Sequence, residues 1–214
     1  MKFNLLLVCT IFLGMQLHAQ NVFQKEVDAI VLRNDTLYKP SKETIIFTGS
    51  SSIRYWKNLQ ERFPEHQILN AGFGGSQAYD LLYHLENLVL KYAPKKVFIY
   101  EGDNDIFSKR KPQEIIDTTK EIIQKIKDKN PKTIIILISV KPSIARWNLR
   151  KKYKKLNREF KELSSKDSTI IYADVWNIML KKRRVRKDIF VNDGLHMNNT
   201  GYELWYQALK QYVN

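Results

Sequence analysis

Cysteine is almost absent from this chain, which has a single one, Cys9, among its 214 residues. Cys9 lies in an N-terminal apolar run that we predict to be removed, so we expect no disulfide and no cysteine-ligated metal in the mature protein. His66, His84 and His196 are far apart in sequence and lack metal-ligand spacing. The sequence therefore implies no metal or organic cofactor.

The N-terminal segment differs from the rest of the chain. Met1 and Lys2 form a positively charged start, an apolar run extends from Leu5 to Leu17, and Ala19 offers a small residue for cleavage. This order is typical of a secretory signal peptide, and the run is shorter than the ~20 apolar residues of a membrane span. A membrane anchor or a buried first helix is the alternative. We predict a signal peptide over 1–20, one domain over 21–214, and export to the periplasm or the medium.

Acidic residues are scarce: 22 stand against 36 lysines and arginines, for a formal net charge of +14. Much of the surplus lies in two runs, Arg150–Lys155 and Lys181–Lys187. A nucleic-acid surface is one interpretation, but no aromatic residue interrupts the second run and no nucleic-acid motif accompanies either. We expect solvated surface and no nucleic-acid partner. A surface of this charge is also suited to electrostatic association with an anionic cell envelope.

Apolar runs and helix-period segments alternate along the chain. Five short β-rich runs occupy 44–48, 67–70, 96–100, 133–138 and 169–172. Helical spacing occupies 24–32, 53–63, 79–92, 112–129 and 147–163, and Asn198–Thr200 caps a last helix through Tyr212. Continuous apolar strands separated by helices predict a parallel sheet covered on both faces. The predicted fold is α/β: a three-layer α/β/α sandwich with a five-stranded parallel sheet.

Three loops that follow predicted strands carry polar or glycine-rich sequences. Ligand sites of open α/β sheets lie at such positions, beyond the carboxyl ends of the strands. Gly49–Arg54 places serines at a strand-to-helix turn, beside free N–H groups that can stabilise an oxyanion. Asn70–Ser76 offers glycines and a backbone donor, and Gly102–Asp105 offers the Asn104 amide. Each loop alone is equally explained as a helix cap or a tight turn.

A fourth segment, Asp193–His196, precedes the last helix. A histidine three residues after an aspartate can lie against it while its other ring nitrogen faces a distant serine. Such an imidazole accepts the serine proton as general base, and the aspartate orients the ring. The alternative is a lone histidine near a helix N-terminus. The four segments in this order predict a nucleophile, its base and two oxyanion donors.

Together the four segments resemble the sequence blocks of the SGNH hydrolase superfamily, the GDSL-like lipases and acylhydrolases. The resemblance extends over essentially the whole mature chain and implies a flavodoxin-like SGNH hydrolase fold. It implies Ser51 as nucleophile, with His196 and Asp193 as its base pair. By register it implies the backbone N–H groups of Ser51 and Gly75, with the Asn104 amide, as the oxyanion hole.

One position departs from the family pattern. Ser50 stands where the family usually has an aspartate before the nucleophile. The run of three serines leaves Ser50 and Ser52 as alternative nucleophiles, although the register of the following residues favours Ser51. Losing the carboxylate makes the pocket less negative and Arg54 adds positive charge, so we expect neutral or anionic substrates to be tolerated.

The resemblance implies hydrolysis of a carboxylic ester, and export favours an extracytoplasmic substrate such as an acetylated polysaccharide. A small-acyl carbohydrate esterase is the first hypothesis, similar to platelet-activating-factor acetylhydrolase-like esterases. A lysophospholipase or thioesterase on the same triad is the second, and a catalytically silent glycan-binding module is the third. Trp147, after the fourth strand, is predicted either to stack on a sugar or line an acyl slot, or to anchor its helix in the core. The oligomeric state is not predicted.

Overall fold

The computed structural model describes residues 21–214. The predicted signal peptide over 1–20 lies outside the described residues. Within them, no helix is both long and apolar enough to cross a membrane.

Five parallel strands form the central sheet. They are β1 (Thr44–Gly49), β2 (Gln67–Gly72), β3 (Lys96–Tyr100), β4 (Ile134–Ile138) and β5 (Ile170–Ala173), in the spatial order β2-β1-β3-β4-β5. All four neighbouring pairs are parallel. The predicted α/β fold with a five-stranded parallel sheet is confirmed.

Eight α-helices connect and cover the strands in the described chain. They are α1 (Gln24–Leu37), α2 (Ser51–Arg54), α3 (Ala78–Tyr83), α4 (Leu85–Leu88), α5 (Asp103–Phe107), α6 (Pro112–Lys129), α7 (Arg150–Lys166) and α8 (Asn199–Val213). Short 3₁₀ turns cover Asn21–Phe23, Gln60–Arg62, Leu90–Tyr92, Trp147–Leu149 and Asn177–Met179. A small antiparallel hairpin joins β6 (Leu180–Lys181) to β7 (Arg184–Val185).

Neighbouring residues along each strand belong to two different core layers, because successive side chains point to opposite faces of a sheet. Ile46 and Val97 pack into one layer with helices α1, α3, α4, α6 and α7. Phe47 and Phe98 stack at 4.0 Å in the other layer, which α8 covers through Trp205. Burial on both faces explains why the strands are continuous apolar runs.

The helix predicted over 53–63 is wrong in extent: α2 ends at Arg54 and only a 3₁₀ turn follows at Gln60–Arg62. The side-chain amide of Asn70 donates to the carbonyls of Ile53 and Trp56, at 2.8 and 3.4 Å. A side chain from β2 thus uses acceptors that a continuing helix would need. Trp56 is still buried in the core, so the apolar spacing was correct and the helix was not.

The helix predicted over 79–92 is broken into α3, α4 and a 3₁₀ turn. Both breaks, at His84 and Val89, have non-helical backbone angles, and Ala93 ends the segment with φ 44°. Leu81, Leu85, Leu88, Val89 and Leu90 all pack into the same core layer. More apolar residues reach the core along this bent path than one face of a straight helix presents.

The helix predicted over 112–129 is confirmed at both ends. Elsewhere the ends differ: α1 continues five residues beyond 32, and α7 begins at Arg150 because a 3₁₀ turn occupies Trp147–Leu149. The residues after Gly102, predicted as a loop, form α5. The second basic run, Lys181–Lys187, includes all of the β6–β7 hairpin except its first residue, Leu180.

Candidate active site

The pairing of β1 with β2 and β3 brings the first three polar loops to one edge of the sheet. Gly49 at the end of β1 pairs with Gly72 of β2 and with Tyr100 of β3. The Phe73 N–H then donates to the Gly49 carbonyl at 2.9 Å, which joins the second loop to the first. The arrangement follows from parallel pairing, since all strands end at the same edge.

Gly49 is required by the close approach of β1 and β3. Its φ is +124°, and a Cβ at this position would lie 2.1 Å from the Tyr100 carbonyl oxygen. The chain turns there into α2, whose first residue is Ser51. The Ser51 hydroxyl is thereby placed at the start of a helix.

Two successive hydrogen bonds connect Ser51 to His196 and His196 to Asp193. The Ser51 Oγ is 3.0 Å from His196 Nε2, and His196 Nδ1 is 2.5 Å from the Asp193 Oδ2. Ser50 and Ser52 are each only 3% exposed, and the serine facing the imidazole is Ser51. The structure thus brings together the three residues that the sequence proposes as nucleophile, base and orienting acid.

Asp193 is held as a carboxylate. Burial opposes its charge, but the His196 ring and the backbone N–H groups of Leu195 and His196 donate to it and lower its pKa to about 2. An ionised Asp193 accepts the Nδ1 proton of His196, which leaves the Nε2 lone pair directed at the Ser51 hydroxyl. This tautomer is the one a general base requires.

Tyr55 is a neighbour that the sequence reasoning missed. Its ring meets that of His196 edge to face, with centroids 5.1 Å apart. Tyr55 is 39% exposed, which is high for a large aromatic side chain. It therefore forms one wall beside the imidazole, and its only sequence signal is its position four residues after Ser51.

Two backbone N–H groups, those of Ser51 and Gly75, are candidate donors to an oxyanion. Within residues 21–214, the N–H groups of Ser51 and Gly75 make no backbone or side-chain hydrogen bond. Gly75 has φ +78°, a region that favours glycine, and the space where a Cβ would stand is open. Such free N–H groups at a turn and a helix start are available to a developing oxyanion.

Asn104 is fixed from both ends of its amide. Its Nδ2 donates to the carbonyl of Ser76 at 2.9 Å, next to Gly75, and its Oδ1 accepts from the Arg146 guanidinium at 3.0 Å. These partners determine which amide atom is nitrogen, and one Nδ2 proton remains for another acceptor. Asn104 and Gly75 are therefore neighbours, as the predicted oxyanion hole requires.

Beneath Asn104 lies a buried ionic cluster that the sequence reasoning did not anticipate. The Asp103 carboxylate accepts from Arg146 at 2.7 Å, from the Tyr153 hydroxyl at 2.6 Å and from Lys141 at 3.3 Å. The Lys141 side chain is 1% exposed. Burial alone would raise the pKa of Asp103, but the charges of Lys141 and Arg146 hold it below its usual value. Lysine and arginine seldom occupy interiors, so composition could not have identified these two.

Arg54 and Trp147, the predicted substrate contacts, lie in different places. Arg54 pairs with Glu26 of α1, with Nε and Oε1 2.9 Å apart, and its guanidinium lies beside Gly74. Arg54 thus borders the active-site loops. Trp147 stacks on Trp176 with centroids 6.1 Å apart and packs against the core, facing a separate groove.

Residues 41–204 match the model of the GDSL-like Lipase/Acylhydrolase family. The chain belongs to that family. Every loop of the site lies within the matched range. Family membership makes this GDSL-like acylhydrolase a carboxylic ester hydrolase by class.

Solved structures share the fold. A Streptococcus pneumonia protein proposed to be a platelet activating factor is 27% identical, with a TM-score of 0.78, and the match covers 94% of this chain and 99% of that one. An acetyl-xylooligosaccharide esterase mutant from Geobacillus Stearmophilus is 18% identical, with a TM-score of 0.67 and coverage of 80% and 94%. At that identity the second likeness concerns the fold alone.

A longer relative matches in sequence. An N-acylneuraminate cytidylyltransferase from Escherichia coli O18:K1:H7 (strain RS218 / NMEC) is 26% identical over 182 residues, 81% of this chain. The present chain spans 41% of that enzyme's length.

Within residues 21–214, no group of three histidine, cysteine or acidic side chains is arranged to hold a metal.

Proposed function

We propose that this acylhydrolase removes a small acyl group, an acetyl group foremost, from a carbohydrate or similar ester, with Ser51 as its nucleophile. The observation that carries the proposal is the 3.0 Å contact between Ser51 Oγ and His196 Nε2, with Asp193 bonded to the opposite ring nitrogen. A hydroxyl activated in this way attacks an acyl carbon that water attacks slowly.

In the first half-reaction, Ser51 Oγ bonds to the ester carbonyl carbon while its proton passes to His196 Nε2. The negative charge that develops on the carbonyl oxygen is accepted by the N–H groups of Ser51 and Gly75 and by Asn104 Nδ2. His196 then returns the proton to the alcohol oxygen as the carbon–oxygen bond of the ester breaks. The acyl group stays on Ser51.

In the second half-reaction, water takes the place of the alcohol. His196 accepts a proton from the water as its oxygen bonds to the acyl carbon, and the same three donors hold the oxyanion. The proton returns to Ser51 Oγ, the acid leaves, and the enzyme is restored. The balance is one ester and one water consumed, and one acid and one alcohol formed.

The openness of the site supports a substituent on a large polar substrate. The side chains of His196 and Asp193 are 28% and 45% exposed, which leaves room for the alcohol part of the ester to remain in solvent. Arg54 at the rim is paired with Glu26, so the pair adds no net positive charge there.

Export is part of the proposal and rests on the sequence of residues 1–20 alone. We infer that the enzyme acts in the periplasm or the medium after cleavage behind Ala19 or Gln20. Sequencing the N-terminus of the protein recovered from outside the cytoplasm should give Gln20 or Asn21. Recovery of the intact N-terminus in the cytoplasm would refute export and leave the chemistry unaffected.

The deciding experiment compares hydrolysis of p-nitrophenyl acetate, butyrate and octanoate. We expect the rate to fall as the acyl chain lengthens, and kcat to fall by about 10⁴-fold or more in Ser51→Ala and His196→Ala. Ser165→Ala, an exposed serine on α7, is the matched control and should keep full activity.

Other outcomes select among the remaining hypotheses. Rates that rise with chain length would favour a lysophospholipase or thioesterase on the same triad. Activity that survives in Ser51→Ala would make Ser50 or Ser52 the nucleophile. A folded protein without activity on any ester would favour a catalytically silent glycan-binding module.

A further inference from the structure

A basic groove lies between α7 and the segment that follows β5. Its volume is about 600 Å³, within the range of pockets that hold small ligands. Five cationic side chains line it: Arg150, Lys154, Arg158, Lys161 and Arg183. Four of the five lie on α7 one turn apart, so a single helix face supplies them.

None of the five cations has a carboxylate within ion-pair distance among residues 21–214. One acidic residue, Asp174, also lines the groove. Its carboxylate is already engaged by the backbone N–H of Trp176 and by the side chain of Asn177, at 2.8 and 2.5 Å. Five cations against one carboxylate leave the groove with a surplus of four positive charges.

The fifth cation, Arg183, lies in a strained turn. The β6–β7 hairpin turns at Lys182 and Arg183, which have φ of +49° and +64°. Two-residue hairpin turns of this kind favour Asn-Gly, because other side chains crowd the left-handed backbone. Two long cationic residues occupy the turn instead, and Arg183 lines the groove. A backbone conformation that is costly for these residues thus places a cation at the groove.

Two indoles form part of the groove and hold two of its cations. Trp147 and Trp176 stack with an interplanar angle of 20°. The Arg150 guanidinium lies 5.3 Å from the centre of the Trp147 ring, and the Lys154 ammonium lies 5.7 Å from that of Trp176. Cation–π contacts of this kind restrict where the charges stand. The surface is shaped as well as charged.

We propose that this groove binds an anionic oligosaccharide, one whose sugar rings carry carboxylates, as the part of the substrate adjacent to the ester. The inference rests on the proposed esterase activity for its link to catalysis. The groove and the active site share a loop: Arg146 bonds Asn104, and the next residue, Trp147, lines the groove. The N–H groups of Ile144 and Ala145 donate to the Gly194 carbonyl, inside the Asp193–His196 segment.

Shape and composition favour a saccharide over two other polyanions. A membrane surface would call for a convex face with apolar residues to insert, whereas these cations line a concavity. Single-stranded nucleic acid would call for free aromatic faces on which bases stack. Trp176 is 5% exposed with Lys154 over its ring, and the half-buried Trp147 has the Arg150 guanidinium over its own. Carboxylates on sugar rings fit separate cations spaced along one helix.

The test measures binding by calorimetry in the Ser51→Ala background, so that no turnover is involved. The probes are a short oligogalacturonate, with one carboxylate per ring, and a xylo-oligosaccharide of equal length, with none. We expect binding of the first, weakened by added salt, and no detectable binding of the second.

Two double variants on α7 distinguish the effect of the groove residues on binding from the effect of the protein's overall charge. Lys154→Glu with Lys161→Glu alters the groove, and Lys151→Glu with Lys155→Glu makes the same change in charge on exposed residues outside it. We expect the groove pair to weaken oligogalacturonate binding about ten-fold or more and the outer pair less than about two-fold. Thermal melting establishes that each variant is folded. On acetylated oligogalacturonate, the groove pair should raise KM.

Equal losses in both pairs, or equal binding of the neutral probe, would overturn the proposal. So would tighter binding of phosphatidylglycerol vesicles or oligodeoxythymidine that the groove pair abolishes. Failure of the esterase proposal is visible separately, as absence of p-nitrophenyl acetate hydrolysis by the unaltered chain, whatever the binding results.

Discussion

Two aspartates in this protein are kept ionised by different means. Asp193 has a side chain that is 45% exposed and relies on hydrogen bonds from the His196 ring and nearby backbone N–H groups. Asp103 has a side chain that is 6% exposed and relies on two buried cations, Lys141 and Arg146. One carboxylate is open to substrate and solvent, and the other is sealed beneath Asn104.

The two carboxylates differ in what their loss should affect, turnover in one case and folding stability in the other. An exposed carboxylate can be altered at little cost to folding, because water replaces its lost partners. A buried ionic cluster cannot lose one member without leaving an uncompensated charge. We therefore expect changes at Asp193 to affect turnover, changes at Lys141 to affect stability, and changes at Arg146 to affect both.

The largest effect should follow from Asp193→Asn. The amide cannot favour the Nδ1-protonated tautomer of His196, so we expect kcat to fall by about 10⁴-fold. Urea unfolding should show a loss of stability below about 1 kcal/mol. A loss of stability comparable to that of a buried-cluster variant would contradict the separation of roles.

Next in size is Lys141→Met, which leaves Asp103 with one buried cation in place of two. We expect the free energy of unfolding to fall by about 3–5 kcal/mol, because part of the buried carboxylate's compensation is lost. Lys151→Met, on the exposed face of α7, is the matched control and should change stability by less than about 0.5 kcal/mol. Equal effects of the two substitutions would show that the buried cluster carries no special stability.

A smaller effect distinguishes Arg146 as a positioning residue. A single guanidinium nitrogen, Arg146 Nη1, donates to both Asp103 Oδ1 and Asn104 Oδ1. Arg146→Lys keeps a cation for Asp103 but loses the planar group that fixes the direction of this donor. We expect kcat to fall about 10- to 100-fold with KM nearly unchanged, since the oxyanion donor is misdirected only where charge develops.

A double-mutant cycle checks that assignment. If Arg146 acts through Asn104, then Arg146→Lys should cost little further activity in an Asn104→Ala enzyme. Additive losses of kcat would show that Arg146 acts on the substrate directly or through another group.

The smallest effect concerns pH. The pKa of Asp193 falls from its usual 3.8 to about 2 on folding, so its ionised form stabilises the folded state fully above about pH 4. This contribution is lost as pH falls from about 4 to about 2. Because the group is largely exposed, we expect it to amount to less than about 1 kcal/mol. Unfolding of the wild-type chain and Asp193→Asn across this range measures it, and a difference that grows toward lower pH would contradict the sign.

Local sequence determined much of the architecture. The five strands are apolar runs buried on both faces, and such runs have few other uses in a chain of this composition. Helix α6 was predictable at both ends because Pro112 starts it, isoleucines repeat at helical spacing, and Asn130-Pro131 closes it. The segment that contains Ser51 was recognisable because it follows a strand and opens a helix, and the segment that contains His196 because an aspartate stands three residues before the histidine.

Other features depended on contacts between residues far apart in the chain. The helix expected over 53–63 ends early because Asn70, on another strand, takes the carbonyls of Ile53 and Trp56. Helix-period spacing reports only local preference, and a long-range side-chain hydrogen bond can override it. The same limit hid the break at His84.

The order of polar segments along the chain was sufficient to predict that Ser51, His196 and Asp193 come together. The sequence could not show that Lys141 and Arg146 lie buried against Asp103, since either residue is ordinarily exposed. Nor could it show that basic residues of α7 converge with Arg183 on one groove. Burial and convergence are properties of packed layers, and only the tertiary structure decides them.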